Sequence, residues 1–372
     1  MTSKDKHQKH PKLKRSDIGS YHRCEWAIYG TNCENICALF DQISNNLKQY
    51  NFLYVDADHS EVEKDTCHQI GKKQFSSKKV QSWNSFDDRL YSLQTDAAFV
   101  NGNHYCATAQ IVIIDPKKGE SLKRRVGQLD NIKMVIVDNS NDEIFDFIKV
   151  KMTDETIIVE SSNLATITEY FLTQIKKSRP ELKAIILAGG KSQRMGFDKS
   201  QIEYNNGITQ ENHLIKLLNK RNIKSYISKR YNHKIKENLD LIIKDKLVDM
   251  GPCGAIISAM MTDPNAAWLV IACDLPFIDG VLIDRLIDSR NTSKFATTYR
   301  GVDNQFPEPL ITIYEPRSYQ RLLSFLSLGY ACPRKVLINS DIEELVLHDM
   351  NAITNVNTPQ EMDLAKSKLK NG

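Results

Sequence analysis

Apolar residues along this chain fall into short runs of strand length, separated by stretches with helical spacing. In the first half, CEWAIYG (24–30), NFLYVDADH (51–59), AQIVIIDP (109–116), IKMVIVD (132–138) and ETIIVES (155–161) read as strands. Between the first two, Ile36, Leu39, Phe40, Ile43 and Leu47 recur at the spacing of one helix face over 33–49. Further helices are expected at 142–149 and 164–176. Runs that are apolar at successive positions fit strands covered on both faces, as in a parallel sheet.

The second half repeats the alternation. Strands are expected at 183–187, 225–228, 241–243, 268–273, 295–299, 309–314 and 344–347. Helices are expected at about 211–220, 253–262, 281–289, 316–327 and 358–369. The last has a clear start: Thr358 caps it, Pro359 suits its first turn, and Glu361 completes a capping box. The polar segment KKSRPE (176–181) interrupts the pattern and marks a boundary. The expected fold class is α/β, with two three-layer αβα domains at 21–178 and 182–372. A length of 372 residues favours two domains over one.

Composition narrows the class. Hydrophobic residues make up 41% and charged residues 26%, which suits an ordinary globular core. No apolar run approaches the roughly 18 residues of a membrane span, and no secretory apolar segment lies near the start. A soluble, cytoplasmic protein with no membrane partner is expected. Residues 1–20 hold six Lys or Arg against two Asp, which equals the whole chain's net charge of +4. They read as a basic, disordered tail, and the neutral body gives no support for a nucleic-acid partner. The eight cysteines form no C-x-x-C pair. Cys33 and Cys37 share a helix face, but two thiols alone make a poor metal site, so all eight read as reduced thiols.

The densest chemistry lies in KAIILAGGKSQRMGFDKS (183–200). An apolar strand runs into Gly189 and Gly190, followed by Lys191, Arg194 and Lys199. Strands of a parallel sheet end at the edge where ligands bind, and a glycine turn with cations there suggests phosphate. Arg194 can make a forked contact and Lys199 supplies a mobile point charge. The glycine spacing matches neither a dinucleotide fingerprint nor G-x-x-x-x-G-K-[ST].

The spacing L-A-G-G-x-x-x-R-M-G-x-x-K does resemble the signature of nucleotidyltransferases, and within them the molybdenum cofactor guanylyltransferases. The resemblance continues in order through DMGPCGAI (249–256), VIACDLPFI (270–278), PEPLITIY (307–314) and NVNTPQEM (355–362), covering about 183–369. It implies a Rossmann-like nucleotidyltransferase domain. It also implies transfer of GMP from GTP to the terminal phosphate of molybdopterin or its metal-loaded form, with pyrophosphate leaving. Leu187, Ala188, Gly189, Gly190, Lys199, Asp245, Gly251 and Asp274 are the implied nucleotide contacts. Arg194, Lys199 and Asp274 are the implied catalytic groups, and Asp274 is the implied Mg²⁺ ligand. Asn355 and Asn357 are implied supports for metal or phosphates, and Asp249 is an alternative to Asp245 for the guanine. Molybdoenzymes or cofactor-chaperone proteins are the implied protein partners.

Each residue has a plainer reading. The glycines can serve tight turns, the cations a solvated surface, and Asp274 a helix cap before Pro276. Asp245 stands between Lys244 and Lys246 as a solvated charge would, and Trp268 suits the core. The basic SKRYNHK (228–234) departs from the family pattern and weakens guanine selection relative to transfer itself. Two other functions stay open: a related transferase using CTP or a sugar-phosphate acceptor, and a non-catalytic nucleotide or cofactor carrier.

In the first half, WAIYGTNCENICALF (26–40) sits where a phosphate loop would sit. The layout resembles the small P-loop GTP-binding partner of guanylyltransferases in molybdopterin-guanine dinucleotide synthesis. The loop lacks the Lys and Ser/Thr of a working P-loop, retains only Gly30, and carries Glu34, which repels phosphate. A degenerate, P-loop NTPase-like domain is therefore expected. Asp56, Asp58 and His59 can form a small polar site or simply end a strand.

Overall fold

The computed structural model describes residues 22–57, 67–70, 75–78, 90, 92–139, 141, 143–188, 201–205, 207–230, 241–302 and 306–371. The chain separates into two compact units, Met1–Ser178 and Arg179–Gly372.

The first unit is built on a six-stranded sheet. Its strands are β1 (Glu25–Tyr29), β2 (Phe52–Val55), β5 (Ala97–Asn101), β6 (Ala109–Ile113), β7 (Ile132–Val137) and β8 (Ile157–Glu160). They lie in the order β2-β5-β1-β6-β7-β8, and every pairing is parallel. A separate antiparallel hairpin joins β3 (Cys67–Ile70) to β4 (Phe75–Lys78). Alternate residues of β1 enter different cores: Trp26 and Ile28 on one face, Ala27 and Tyr29 on the other. This two-residue period explains why the run is apolar throughout. Helices Cys33–Asn46 and Leu164–Lys177 cover the first face with Ile36, Ile43, Ile167, Phe171 and Ile175. Phe171 meets Trp26 edge-on with centroids 4.8 Å apart.

Several elements differ from expectation here, the β3–β4 pair and a short helix at Gly119–Lys123 among them. The strand Ala97–Asn101 escaped the pattern, yet it pairs with both β1 and β2 and is fully buried. Five residues without alternation carry no periodic signal, so only pairing reveals this strand. Among the described residues, the helix expected at 142–149 covers Asp146–Lys149 and the strand expected at 51–59 covers Phe52–Val55.

The second unit has a seven-stranded sheet of β9 (Leu182–Leu187), β12 (Lys224–Lys229), β13 (Ile242–Lys244), β14 (Ala267–Ala272), β15 (Ala296–Gly301), β16 (Pro307–Tyr314) and β17 (Glu343–Leu347). They lie in the order β13-β12-β9-β14-β16-β15-β17. β16 runs antiparallel to both neighbours, while the other strands share one direction. Two cores again lie on opposite faces, with Ala184, Ile186, Leu269 and Ile271 in one and Ile185, Trp268 and Val270 in the other. Trp268 is fully buried, and its indole N–H donates to the Asp263 carbonyl at 3.1 Å. A short hairpin of β10 (Glu203–Asn205) and β11 (Ile208–Thr209) and a helix at Pro333–Ile338 were not legible in the pattern. Among the described residues no helix is long and apolar enough to cross a membrane.

Candidate functional site

The chain leaves β9 towards β12 on one side, and β14 pairs on the other, so β9 and β14 flank a topological switch point. Ligands of open α/β sheets bind outside the carboxyl ends of the strands at such a point. Leu187 pairs with Ala272, and the Cys273 amide donates to the Leu187 carbonyl at 3.3 Å. Leu187–Ala188 and Cys273–Asp274 therefore emerge side by side. The Leu187 and Ala188 side chains pack against the cores, which leaves backbone groups to face a ligand. Gly189, Gly190, Lys191, Arg194 and Lys199 lie outside the described residues.

Asp274 is half-buried, with Oδ1 shielded from solvent. Its carbonyl accepts from the Val356 amide at 2.8 Å, which brings the Asn355–Asn357 segment to the same sheet edge. Val356 packs with Tyr204 of the hairpin in a small core, so three distant segments meet beside Asp274. Asn355 is exposed and Asn357 half-buried. The Asn357 and Thr358 amides both donate to Glu361 Oε2, at 2.6 and 3.1 Å, and the Glu361 amide donates to Thr358 Oγ1 at 3.3 Å. This is the expected capping box, and it holds the Asn355–Asn357 turn in place.

Two residues beside Asp274 were missed by sequence reasoning. Because β16 is antiparallel, its start lies at the ligand edge, and the Ile271–Ile311 register carried forward sets Glu308 across from Asp274. Burial, chiefly, raises the Glu308 carboxyl above its usual range; Arg334 opposes this and the Asp274 charge adds to it. Arg334 Nη2 lies 2.9 Å from Glu308 Oε2. Burial, together with Asp274, pushes the Tyr204 hydroxyl up to about 12. No periodic signal marks either residue; Glu308 falls within the PEPLITIY segment, but its place across from Asp274 comes from sheet order.

Asp245 ends β13, at the far side of the sheet. Three strand spacings separate it from the Asp274 end, roughly 14 Å. The two carboxylates thus lie at well-separated points of the same sheet edge. Asp245 is half-buried rather than solvated: Ser228 Oγ donates to its Oδ1 at 2.8 Å, and its amide donates to the Lys229 carbonyl at 2.9 Å. Burial raises its carboxyl, while Ser228 and Arg230 pull it back. Lys229, from the basic stretch, is buried in an ion pair with Glu211 at 2.9 Å.

Asp249 and Gly251 are exposed and both left-handed, at φ 60° and 55°. Such a conformation is free for glycine and tolerated by aspartate, so both residues suit the DMGPCG turn. It opens the Gly251–Thr262 helix with Pro252 in its first turn. Gly254 is required by packing, since a Cβ there would meet the Leu247 carbonyl oxygen at 2.6 Å. Ser258 accepts from the Lys246 amide at 2.8 Å and ties the 245–250 loop to the helix.

Residues 184–343, which hold the ends of β9 and β14, Glu308 and the DMGPCG turn, match the family model described as the MobA-like NTP transferase domain. The C-terminal unit is a MobA-like NTP transferase domain. A molybdenum cofactor biosynthesis bifunctional protein from Synechocystis is 32% identical over 187 residues, covering 50% of this chain and 53% of that protein. The chain thus spans about half the length of that relative. A molybdenum cofactor guanylyltransferase from Vibrio parahaemolyticus is 29% identical over 186 residues, covering 48% of this chain and 91% of its own. Among solved structures, molybdopterin-guanine dinucleotide biosynthesis protein A from Archaeoglobus fulgidus aligns with 51% of this chain and 100% of its own, at 18% identity and a TM-score of 0.41.

In the N-terminal unit, the corresponding strand end differs from a phosphate loop. Only Gly30, Thr31 and Asn32 separate β1 from the Cys33–Asn46 helix. Gly30 is left-handed, and a Cβ there would lie 2.0 Å from the Ile113 carbonyl oxygen. Its glycine is explained by packing. Asn32 caps the helix by accepting from the Asn35 amide at 2.8 Å, which occupies a first-turn donor that a phosphate would use. Asp56 ends β2, half-buried; Asp58 and His59 lie outside the described residues.

Proposed function

We propose that the transferase domain moves GMP from GTP to the terminal phosphate of molybdopterin or its metal-loaded form. A phosphate oxygen of the acceptor bonds to the α-phosphorus, the bond to the β-phosphate's bridging oxygen breaks, and pyrophosphate leaves. The acceptor is already anionic near neutral pH, so the step needs positioning and charge stabilisation rather than a separate base. The observation that carries this reading is the meeting of Asp274, the Leu187–Ala188 strand end and the Asn355–Asn357 turn at one switch point.

Leu187, Ala188, Gly189 and Gly190 offer backbone groups to the triphosphate. Arg194 and Lys199 offset its charge and that of the leaving pyrophosphate. Asp274 is the residue that would hold Mg²⁺: its hard carboxylate oxygen at a shielded edge, flanked by Glu308, suits an ion that takes one or two protein carboxylates. When bound, the ion supplies further neutralisation of the phosphates. Gly251 lets the backbone approach the nucleotide, and Asp245, whose carboxylate accepts from Ser228, would accept from the guanine edge. Asn355 and Asn357 support the phosphate end. Recipients of the product would be molybdoenzymes or cofactor chaperones.

Pyrophosphate release from each of the four nucleoside triphosphates, with and without molybdopterin, tests this. Release should require both GTP and molybdopterin. Preference for CTP would overturn the guanine assignment, and release without molybdopterin but with a sugar phosphate would overturn the acceptor.

A further inference from the structure

Three adjacent strands of the N-terminal unit each deliver one metal-binding side chain to the same sheet edge. β1 leads through its short turn to Cys33, β2 ends at Asp56, and β5 continues to His104. Because β2, β5 and β1 are parallel neighbours, their carboxyl ends open onto one crevice. His104 Nε2 lies 3.4 Å from Cys33 Sγ and 3.8 Å from Asp56 Oδ1, and the three ligand atoms all fall within 4.8 Å of one another.

The arrangement is convergent rather than relayed. In a Cys-His-Asp relay the thiol and the carboxylate face opposite ring nitrogens. Here both face the same nitrogen, Nε2. Tetrahedral zinc with ordinary bonds to sulfur, nitrogen and oxygen sets ligand atoms about 3.3–3.6 Å apart. The 3.4 Å separation falls inside that range and the 3.8 Å separation lies just above it, so small side-chain rotations close the set around an ion.

A supporting shell is present. Asp56 Oδ1 accepts from Asn101 Nδ2 at 2.9 Å and from the Ala57 amide at 2.7 Å, while Oδ2 accepts from the Tyr54 hydroxyl at 2.9 Å. Asn103 Nδ2 donates to the Thr31 carbonyl at 3.1 Å, and Arg125 Nη2 donates to the Asn103 carbonyl at 3.1 Å. These bonds hold the His104 loop against the turn before Cys33. Outer partners of this kind orient ligands and tune affinity.

We propose that Cys33, Asp56 and His104 form a binding site for a zinc-class divalent ion, with the fourth position open to water or an exogenous ligand. A thiolate and an imidazole select such an ion over Mg²⁺ or Ca²⁺. The site stands apart from the transferase reading and is carried by the N-terminal unit alone.

The test is Co²⁺ titration of the full chain after chelator treatment. One equivalent per chain should bind with a thiolate-to-cobalt charge-transfer band and tetrahedral d–d bands, and Zn²⁺ should displace it. Cys33→Ser should abolish the charge-transfer band, and Asp56→Asn and His104→Ala should each weaken binding by about tenfold or more. Cys37→Ser, a neighbouring thiol on the same helix, should leave the spectrum unchanged. Persistence of the band in Cys33→Ser, its loss in Cys37→Ser, or no stoichiometric uptake by the parent chain would each overturn the proposal. Should Cys33→Ser fail to fold, Asp56→Asn carries the test: unchanged cobalt affinity there defeats the site.

Discussion

Arg290 and Glu315 form the most buried ion pair of the transferase domain among the described residues, with side chains 4% and 0% exposed. Arg290 Nε donates to Glu315 Oε1 at 2.6 Å, and Nη2 donates to Oε2 at 2.9 Å and to the Pro180 carbonyl at 3.0 Å. Pro180 precedes β9 and Glu315 follows the antiparallel β16, so the fork staples the amino edge, opposite the ligand edge. Glu315→Gln removes the charge and leaves the guanidinium buried. Breaking a buried pair in this way costs about 3–5 kcal/mol. At about 2–4 °C per kcal/mol for a domain of this size, the melting temperature should fall by roughly 6–20 °C. Arg290→Met with Glu315→Leu should recover most of that loss, because no unpaired charge remains. Thermal unfolding followed by circular dichroism reads the shift, and pyrophosphate release in the cold should be unchanged per folded molecule. A fall of less than about 2 °C for Glu315→Gln would refute the reasoning, since a solvated pair is worth at most about 1 kcal/mol.

Other expectations concern the site and the pH response. Asp274→Asn should lower pyrophosphate release at least about a hundredfold with an unchanged melting temperature, because it removes charge aimed at the phosphates; near-normal turnover would remove Asp274 from the reaction. Ser228→Ala should raise KM for GTP with little change in kcat, by about the worth of one hydrogen bond, ~1 kcal/mol, as Asp245 loses its positioning donor; an unchanged KM would place Asp245 outside the base site. Lys183 Nζ lies 2.6 Å from Asp263 Oδ2. Burial would raise the Asp263 carboxyl, but the Lys183 contact and backbone donors hold it below its ordinary value of 3.8. A depressed carboxyl contributes stability that is present above 3.8 and lost as pH falls through the folded value. The melting-temperature gap between the parent and Lys183→Met should therefore be open at pH 7 and close as pH drops below that value; a gap that persists in acid would assign it to lost packing.

Much of this molecule follows from local order along the chain. The continuous apolar runs at 183–187 and 268–273 announce strands covered on both faces, and they became β9 and β14. Thr358, Pro359 and Glu361 announce their helix because every group of a capping box lies within four residues. The ordered motifs of the second half point to nucleotidyl transfer for the same reason: each needs only its own turn. Sheet order is different. Nothing in Pro307–Tyr314 marks it as an antiparallel strand inserted between β14 and β15, yet that insertion sets Glu308 beside Asp274. Nothing in Ala97–Asn101 marks it as the strand between β1 and β2, yet that position carries His104 to Cys33 and Asp56. Periodicity reports which faces of a segment are covered, whereas neighbours across a sheet are chosen by pairing and packing between segments far apart in the chain. The chemistry built on one turn was legible from the residues themselves; the chemistry built across strands was decided only when the sheets assembled.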